Sequence, residues 1–167
     1  MARYAASVES QAAQAAGATS GSTTYGGYFA AVVGGTNGLT LRRVQIGVRA
    51  GATTPTSQQM TIGIYRQTGR AVGALTNTVG NKLDPYSATS GSGGVDVTTG
   101  TTATTAPTFT GPLYRVTFNT QSTLDLPFEL LEQLRVSNST TDGICFANIG
   151  SALPASHLFT LSVEWEE

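Results

Sequence analysis

The stretch HLFTLSVEWE, residues 157–166, decides the fold class of this chain. Apolar side chains occupy every second position from Phe159 to Trp165, and Thr160, Ser162 and Glu164 stand between them. Successive side chains of a β-strand point to opposite faces, so this alternation separates an apolar face from a polar one. The stretch therefore predicts a strand whose odd-numbered side chains, Trp165 included, face a core.

The same period-two pattern recurs upstream of this stretch. Met60, Ile62 and Ile64 alternate with other residues, and the segments 113–119 and 144–148 alternate in the same way. Turns rich in Gly, Pro and Asn separate these segments, and no strand–helix–strand alternation typical of a parallel sheet is present. The pattern predicts eight or nine short strands in an all-β fold, a single antiparallel β-sandwich of jelly-roll-like form.

Two local features are expected near the first predicted strands. Residues 34–38 contain Asn-Gly between further glycines, which predicts a hairpin between strands at 28–33 and 39–49. Leu39 and Leu41 share one parity, whereas Val44 and Ile46 share the other. A β-bulge at residues 42–43 would return all of them to one face.

The rest of the chain divides into an arm and a domain. Residues 1–25 are rich in Ala, Gln, Gly and Ser and lack a bulky apolar stripe, so we expect an extended N-terminal arm and linker. We expect residues 1–18 to become ordered only on assembly. Residues 26–167 form the β-sandwich domain, in which 77–110 is expected to be mainly a surface excursion and 125–134 to contain a short helical turn.

Composition excludes several classes of function. Charged residues make up 11% of the chain and the net charge is −1, whereas nucleic-acid and polybasic membrane binding need a basic excess. One Cys and one His cannot form an internal disulfide or supply a zinc cluster of Cys and His ligands. No signal peptide or membrane-length apolar run is visible, so synthesis in the cytoplasm is expected.

The residues that commonly carry catalysis are expected to be structural. His157 opens a predicted strand, and Cys145 lies inside another, where a buried and inert thiol is the ordinary outcome. Glu129 and Glu132 are typical of a solvated face rather than a carboxylate pair for hydrolysis. The acidic residues 164, 166 and 167 are expected to blunt the edge of the last strand. We therefore expect no enzyme activity, no cofactor and no metal.

The surface composition instead indicates an assembly subunit. The chain has 27 Thr, 14 Ser and 20 Gly, and eight of its nine cationic side chains are Arg. Short hydroxyl side chains lose little rotamer entropy on association, and Arg is enriched in interfaces. The pair Arg42 and Arg43 could bind carboxylates of a partner, although the bulge alone would also account for it.

Several segments together resemble small virion proteins of tailed bacteriophages. They are NKLDP (81–85), APT (106–108), LYRVTF (113–118), LPFE (126–129), HLFTLSVEWEE (157–167) and the opening MARY (1–4). Proteins of this family are called minor capsid, decoration or head-stabilising proteins. The resemblance implies a β-sandwich subunit bound to the outside of an icosahedral shell, with no catalytic residues.

The resemblance also implies partners and a location. We expect contacts with the major capsid protein of the same virion, a homo-oligomer with three copies as the working guess, and a place on the capsid surface. Arg3, Tyr4, Arg42 and Arg43 are the candidate interaction residues. The alternative is a tail-fibre or receptor-binding β module that recognises the host surface.

Overall fold

The computed structural model describes residues 1–10, 27–52, 54–71, 75–98, 107–129 and 133–167. Within these ranges no residue is helical, and two antiparallel sheets pack against each other. The predicted β-sandwich is therefore confirmed. The strands are β1 (Arg3–Glu9), β2 (Tyr28–Val33), β3 (Leu39–Ala50), β4 (Gln59–Gly69), β5 (Leu75–Thr78), β6 (Asn81–Lys82), β7 (Gly94–Thr98), β8 (Thr108–Phe109), β9 (Tyr114–Asn119), β10 (Leu124–Pro127), β11 (Leu134–Val136), β12 (Gly143–Asn148) and β13 (His157–Glu166).

The two sheets differ in strand order. Sheet I has the order β10-β3-β13-β1-β6, and β11 also pairs with β3. Sheet II has the order β5-β7-β2-β12-β4-β8, and β9 also pairs with β4. The chain crosses from one sheet to the other at most connections, so strands that are neighbours in sequence are seldom neighbours in a sheet.

The core lies between the sheets and follows the alternation of β13. Its odd-numbered side chains, from His157 to Trp165, are all buried, while the side chains between them up to Glu164 stay partly exposed. Met60 and Ile62 of β4 are fully buried in the same core. The rings of Phe29 and Phe159 stack across the two sheets with centroids 4.4 Å apart. The core-facing positions predicted for these strands are confirmed.

The predicted bulge in β3 is also confirmed. Arg43 pairs with Glu164 and Leu41 pairs with Trp165, which leaves Arg42 as the extra residue. This insertion keeps the apolar side chains on both sides of it in the core, where the leucine and Val44 are fully buried.

The predicted hairpin is wrong, because β2 belongs to sheet II and β3 to sheet I. The turn at 34–38 is present, but its backbone bonds to other loops. Gly34 N–H donates to Asp142 O at 3.0 Å, and Gly35 N–H donates to Ser139 O at 2.9 Å. A Cβ at Gly34 would lie 2.1 Å from Ser137 O, so these glycines allow the close backbone approach of a crossover between sheets.

The expected N-terminal arm is wrong for the first ten residues. Arg3–Glu9 forms β1, which pairs with β13 along its whole length and with β6 at Tyr4 and Ala5. Tyr4 supplies the apolar contact that the sequence was expected to lack, since its ring stacks on Trp165 with centroids 6.1 Å apart. Residues 11–25, the rest of the expected arm, lie outside the described residues.

One further expectation holds in part and another needs correction. In the segment 77–110, expected to be mainly a surface excursion, residues 79–93 are exposed or partly exposed, but β7 lies between β5 and β2, and its Val95 and Asp96 are fully buried. The short strand foreseen at 95–97 is therefore an inner strand of sheet II. Residues 125–127 belong to β10 and residue 134 opens β11, so the helical turn is wrong at both ends, and 130–132 lie outside the described residues.

Candidate interaction face

The outer side of sheet I presents small polar side chains across three neighbouring strands. Because β3, β13 and β1 are in register, rows of short side chains run across them, such as Gln45–Ser162–Ser7. The hydroxyls of Ser7 and Ser162 are 2.7 Å apart. We call this surface the polar face, and it consists of Ala5, Ser7, Gln45, Gly47, Thr160 and Ser162 with the charged pairs that border it.

The charged side chains that border the polar face are paired within it. Arg43 holds Asp125 with two hydrogen bonds, from Nε at 2.9 Å and from Nη2 at 2.7 Å, and also lies 4.0 Å from Glu164. Hydrogen bonding from Arg43 lowers the pKa of Asp125. At the other end of the face, Arg49 forms a two-bond contact with Glu9. These guanidinium and carboxylate groups neutralise each other without a partner protein.

A groove opens at the end of the polar face, and Arg3 and Arg42, the two arginines that bind the carboxylate of Glu166, line it. Arg3 Nε donates to Glu166 Oε1 at 2.9 Å, and Arg42 Nη2 donates to the other carboxylate oxygen. Glu166 is only 5% exposed, and the hydrogen bond from Arg42 is the main cause that lowers its pKa. The groove has a volume of about 470 Å³, and Leu83 and Phe128 are among its apolar lining residues.

The structure brings three of the four candidate interaction residues together. Arg3 and the pair Arg42 and Arg43 lie on different strands, yet all three contact carboxylates on the outer side of sheet I. Tyr4 does not join them and is corrected to a core residue. It is 2% exposed, its hydroxyl donates to Ala88 O at 3.0 Å, and burial raises its pKa.

The acidic residues near the end of β13 were missed as part of this site. They were expected to blunt a strand edge, but β13 lies inside sheet I, between β3 and β1. Glu164 and Glu166 instead face the arginines across the sheet. The parity of β13 was the available signal, because it already placed Thr160, Ser162 and Glu164 on the side opposite the core.

His157 and Cys145 both have structural surroundings. His157 is 2% exposed; its Nε2 accepts a hydrogen bond from Thr56 N–H at 3.2 Å, and its Nδ1 lies 3.1 Å from Ala155 O. Each ring nitrogen of His157 therefore contacts the backbone of a loop, one at Thr56 and the other at Ala155. Cys145 is fully buried, and burial raises the pKa of its thiol.

The described residues contain neither a metal-binding cluster nor a membrane-spanning helix. Among those that the structure describes, no group of three or more His, Cys, Asp or Glu side chains is placed to hold a metal ion. Over the same ranges, no helix has the length and apolar character needed to cross a membrane.

Comparison with known proteins adds no relative. The chain matches no protein-family model, no curated protein and no solved structure. Its function is therefore inferred from its own residues and their arrangement.

Proposed function

We propose that this protein is a non-enzymatic structural subunit of a bacteriophage particle, a decoration or minor capsid protein that stabilises the head shell. It docks on the major capsid protein through the polar face of sheet I. Its location is the capsid surface, after synthesis in the bacterial host. Several copies associate with one another on the shell.

The polar face carries this proposal, because it is suited to burial against another protein. Its short Ser, Thr, Ala and Gly side chains lose little rotamer entropy when they are immobilised. Its charged groups already have partners, such as Arg43 with Asp125, so docking buries no unpaired charge. Strands β3, β13 and β1 hold the face rigid, which keeps the cost of ordering low.

Stabilisation of the shell follows from mass action. A subunit that binds the assembled lattice but not its dissociated proteins shifts the equilibrium toward the lattice. Contacts among neighbouring copies add avidity, because a copy that is held by one contact meets its second contact at a high effective concentration. A modest interface on each copy is therefore enough to strengthen a large shell.

The alternative is a tail-fibre or receptor-binding module that recognises host glycan. The observation that favours it is Tyr86, whose side chain is 96% exposed, since sugar rings pack on exposed aromatic faces. The neighbouring Leu83 is 52% exposed. This role would place the contact in the segment around Tyr86 rather than on the polar face.

A binding experiment with two arginine variants tests the docking face. Shells prepared without this protein are mixed with wild type, with Ser162→Arg, or with the matched control Thr110→Arg, and bound protein is measured after sedimentation. Ser162 lies in the middle of the polar face, whereas Thr110 is exposed beyond β8 in sheet II. We expect the Ser162 variant to lose binding and the Thr110 variant to keep it.

The same assay over a salt series tests what holds the complex together. Raising NaCl from about 0.1 M to about 1 M shortens the Debye length from ~10 to ~3 Å. Because the charges of the polar face are paired internally, we expect the bound fraction to change little. Release by high salt would show that unpaired charges hold the protein on the shell.

Binding to host cells separates the two functions. Wild type that binds shells but not cells supports the decoration role. The decoration role would be overturned in favour of the tail role if wild type bound cells but not shells and if Tyr86→Ala abolished the binding to cells.

A further inference from the structure

The side chain of Glu167, which follows β13, is held by an unusual number of hydrogen bonds. Its carboxylate accepts from three separate parts of the chain, and every donor is neutral. The donors are Asn37 Nδ2 at 2.9 Å, Gly91 N–H at 2.8 Å, Ser92 N–H at 3.2 Å, Trp165 Nε1 at 3.1 Å and the hydroxyl of Ser90. One carboxylate thus links the turn after β2, the loop before β7 and the end of β13.

The charge of this carboxylate is needed for the arrangement. Burial raises the pKa of Glu167, but hydrogen bonds led by those from Ser90 and Asn37 outweigh it and leave the pKa below its ordinary value. An ionised carboxylate accepts at both oxygens, whereas an amide of the same shape accepts at only one. Neutralising Glu167 would therefore leave several donors without an acceptor.

The loop that Glu167 holds belongs to a longer segment, residues 79–93, which we call the flap. The flap covers the Tyr4–Trp165 stack at the end of the core. Gly80 lies so close that a Cβ there would be 2.2 Å from Cζ2 of Trp165, and Ala88 O accepts the hydroxyl of Tyr4 at 3.0 Å.

At its C-terminal end the flap is also bound through its backbone, because Thr36 N–H donates to Gly91 O at 2.9 Å and Gly93 N–H donates to Val33 O at 2.8 Å. Residues 79–89 are attached to the sandwich more lightly. Their β-pairing is limited to β6, two residues long, with Leu83 N–H bonded to Arg3 O at 2.9 Å just beyond it. The flap also carries exposed apolar side chains: Val79 is 55% exposed and Tyr86 is 96% exposed. A segment with little pairing and much exposed surface belongs to the part of a protein that opens at low cost.

We propose that the flap opens as a unit and that the carboxylate of Glu167 is the latch that keeps it closed over Tyr4 and Trp165. Opening moves Leu83 away with the flap and exposes the stacked aromatic rings beside Phe128, which lines the same groove. The flap thereby controls access to an aromatic surface next to the polar face. This device is a property of the isolated protein and stands whether or not the protein docks on a shell.

The latch is sensitive to acid, because protonation removes acceptors from Glu167. Among the described residues, Tyr4 on β1 is the titratable group coupled electrostatically to Glu167. Charged neighbours on the paired strands are Arg3 on β1, Glu166 on β13 and Lys82 on the flap. Tyr4 titrates only at alkaline pH, and burial raises its pKa further. Glu166 titrates in acid, but it is bound by Arg3 and Arg42 rather than by the flap.

Trp165 provides a direct readout, because it is the only tryptophan of the chain and its indole N–H donates to Glu167. Fluorescence quenching by acrylamide is measured for wild type, Glu167→Gln and the matched control Glu9→Gln, which also removes one negative charge but lies at the far end of β1. We expect quenching of Trp165 to rise several-fold in the Glu167 variant alone. Lowering the pH should raise quenching in wild type and change it little in that variant.

Hydrogen exchange locates the opening. The amides of the flap, including Gly91 and Ser92, should exchange about tenfold faster in Glu167→Gln, the factor expected from losing charged hydrogen bonds, while amides of β12 and β13 keep their protection. Ser90→Ala, which retains the carboxylate, should show the same local change to a smaller extent. The proposal would be overturned if Glu167→Gln showed the same quenching and the same exchange rates as wild type. It would also be overturned if exchange in the variant were uniformly faster across both sheets.

Discussion

The outer sides of the two sheets differ sharply in chemistry. The outer side of sheet I is polar and partly exposed, with Thr160 and Ser162 near its centre. The middle of the outer side of sheet II is apolar and buried, because Ala31 and Cys145 are fully buried in a second cluster, where the rings of Tyr65 and Phe109 lie 4.6 Å apart. At β9, by contrast, this side carries exposed polar residues, Arg115 and Thr117. The middle of sheet II is therefore buried on both sides, and that of sheet I on one.

This difference explains why docking is assigned to sheet I. An apolar sheet face must be covered for the fold to be stable, so the buried middle of the outer side of sheet II is part of the protein's own packing. A polar face needs no cover and stays available for a partner. The two bidentate arginine–aspartate pairs follow the same division, since Asp96 is buried in sheet II and Asp125 is 43% exposed in sheet I.

The largest effect is expected in the core that both sheets share. Trp165 is fully buried, and Trp165→Ala should lower the free energy of unfolding by roughly 3–5 kcal/mol, as truncation of core aromatics does. Urea denaturation measures the change. An unchanged midpoint would mean that the end of β13 contributes little to the core.

The two bidentate arginine–aspartate pairs offer the next test. Arg70 holds Asp96 with two hydrogen bonds of 2.6 Å, and only 1% of the aspartate is exposed. Asp96→Asn should cost about 2–3 kcal/mol, less than the ~3–5 kcal/mol for breaking a fully buried pair, because Arg70 is 36% exposed. Asp125→Asn breaks an exposed pair and should change the free energy of unfolding much less. Equal losses in thermal or urea unfolding would contradict the difference between the sheets.

A matched pair of alanines tests the two outer faces more directly. Ala31→Asn places an amide in the buried cluster of sheet II and should cost roughly 1–3 kcal/mol, through polar burial and overpacking. Ala5→Asn places the same group on the polar face, where surface substitutions change stability by about 0.5 kcal/mol or less. The comparison fails if both variants unfold at the same denaturant concentration.

The parts of the fold that were predicted correctly depend on local pattern. The core side of β13, the inward residues of β4 and the bulge at Arg42 all follow from side-chain parity, which is a property of one strand. Pairing between distant strands is different, because it depends on which surfaces meet. Glu166 is 163 residues from Arg3, and no local pattern connects them.

The two largest corrections come from such distant contacts. β1 was expected to be part of an arm because residues 1–25 lack a bulky apolar stripe, whereas Tyr4 stacks on Trp165, which lies at the other end of the chain. The turn at 34–38 has the glycines of a hairpin, but contacts with residues 137–142 direct it across the sandwich. The candidate arginines could be predicted one by one from the sequence. Their contacts with the carboxylates of β13 could not, because those contacts depend on how the strands of sheet I pair.

The smallest expected effect is the pH dependence of sheet I. The pKa values of Asp125 and Glu166 are lowered in the folded protein by their arginine partners. Their contribution to stability is therefore complete above the ordinary carboxyl range and is lost as the pH falls through the folded values. Glu166→Gln should therefore reduce the fall in stability between about pH 7 and about pH 3. A variant that becomes more acid-sensitive than wild type would contradict this sign.

The most direct test of the docking face is side-chain footprinting of the protein bound to shells. Hydroxyl radicals label Leu158, which lies on the outer side of β13, and Leu113, which is 42% exposed beside β9 of sheet II. Labelling is compared between free and bound protein by mass spectrometry. Docking through sheet I predicts that binding protects Leu158 and leaves Leu113 unchanged. Protection of Leu113 with unchanged labelling of Leu158 would contradict it.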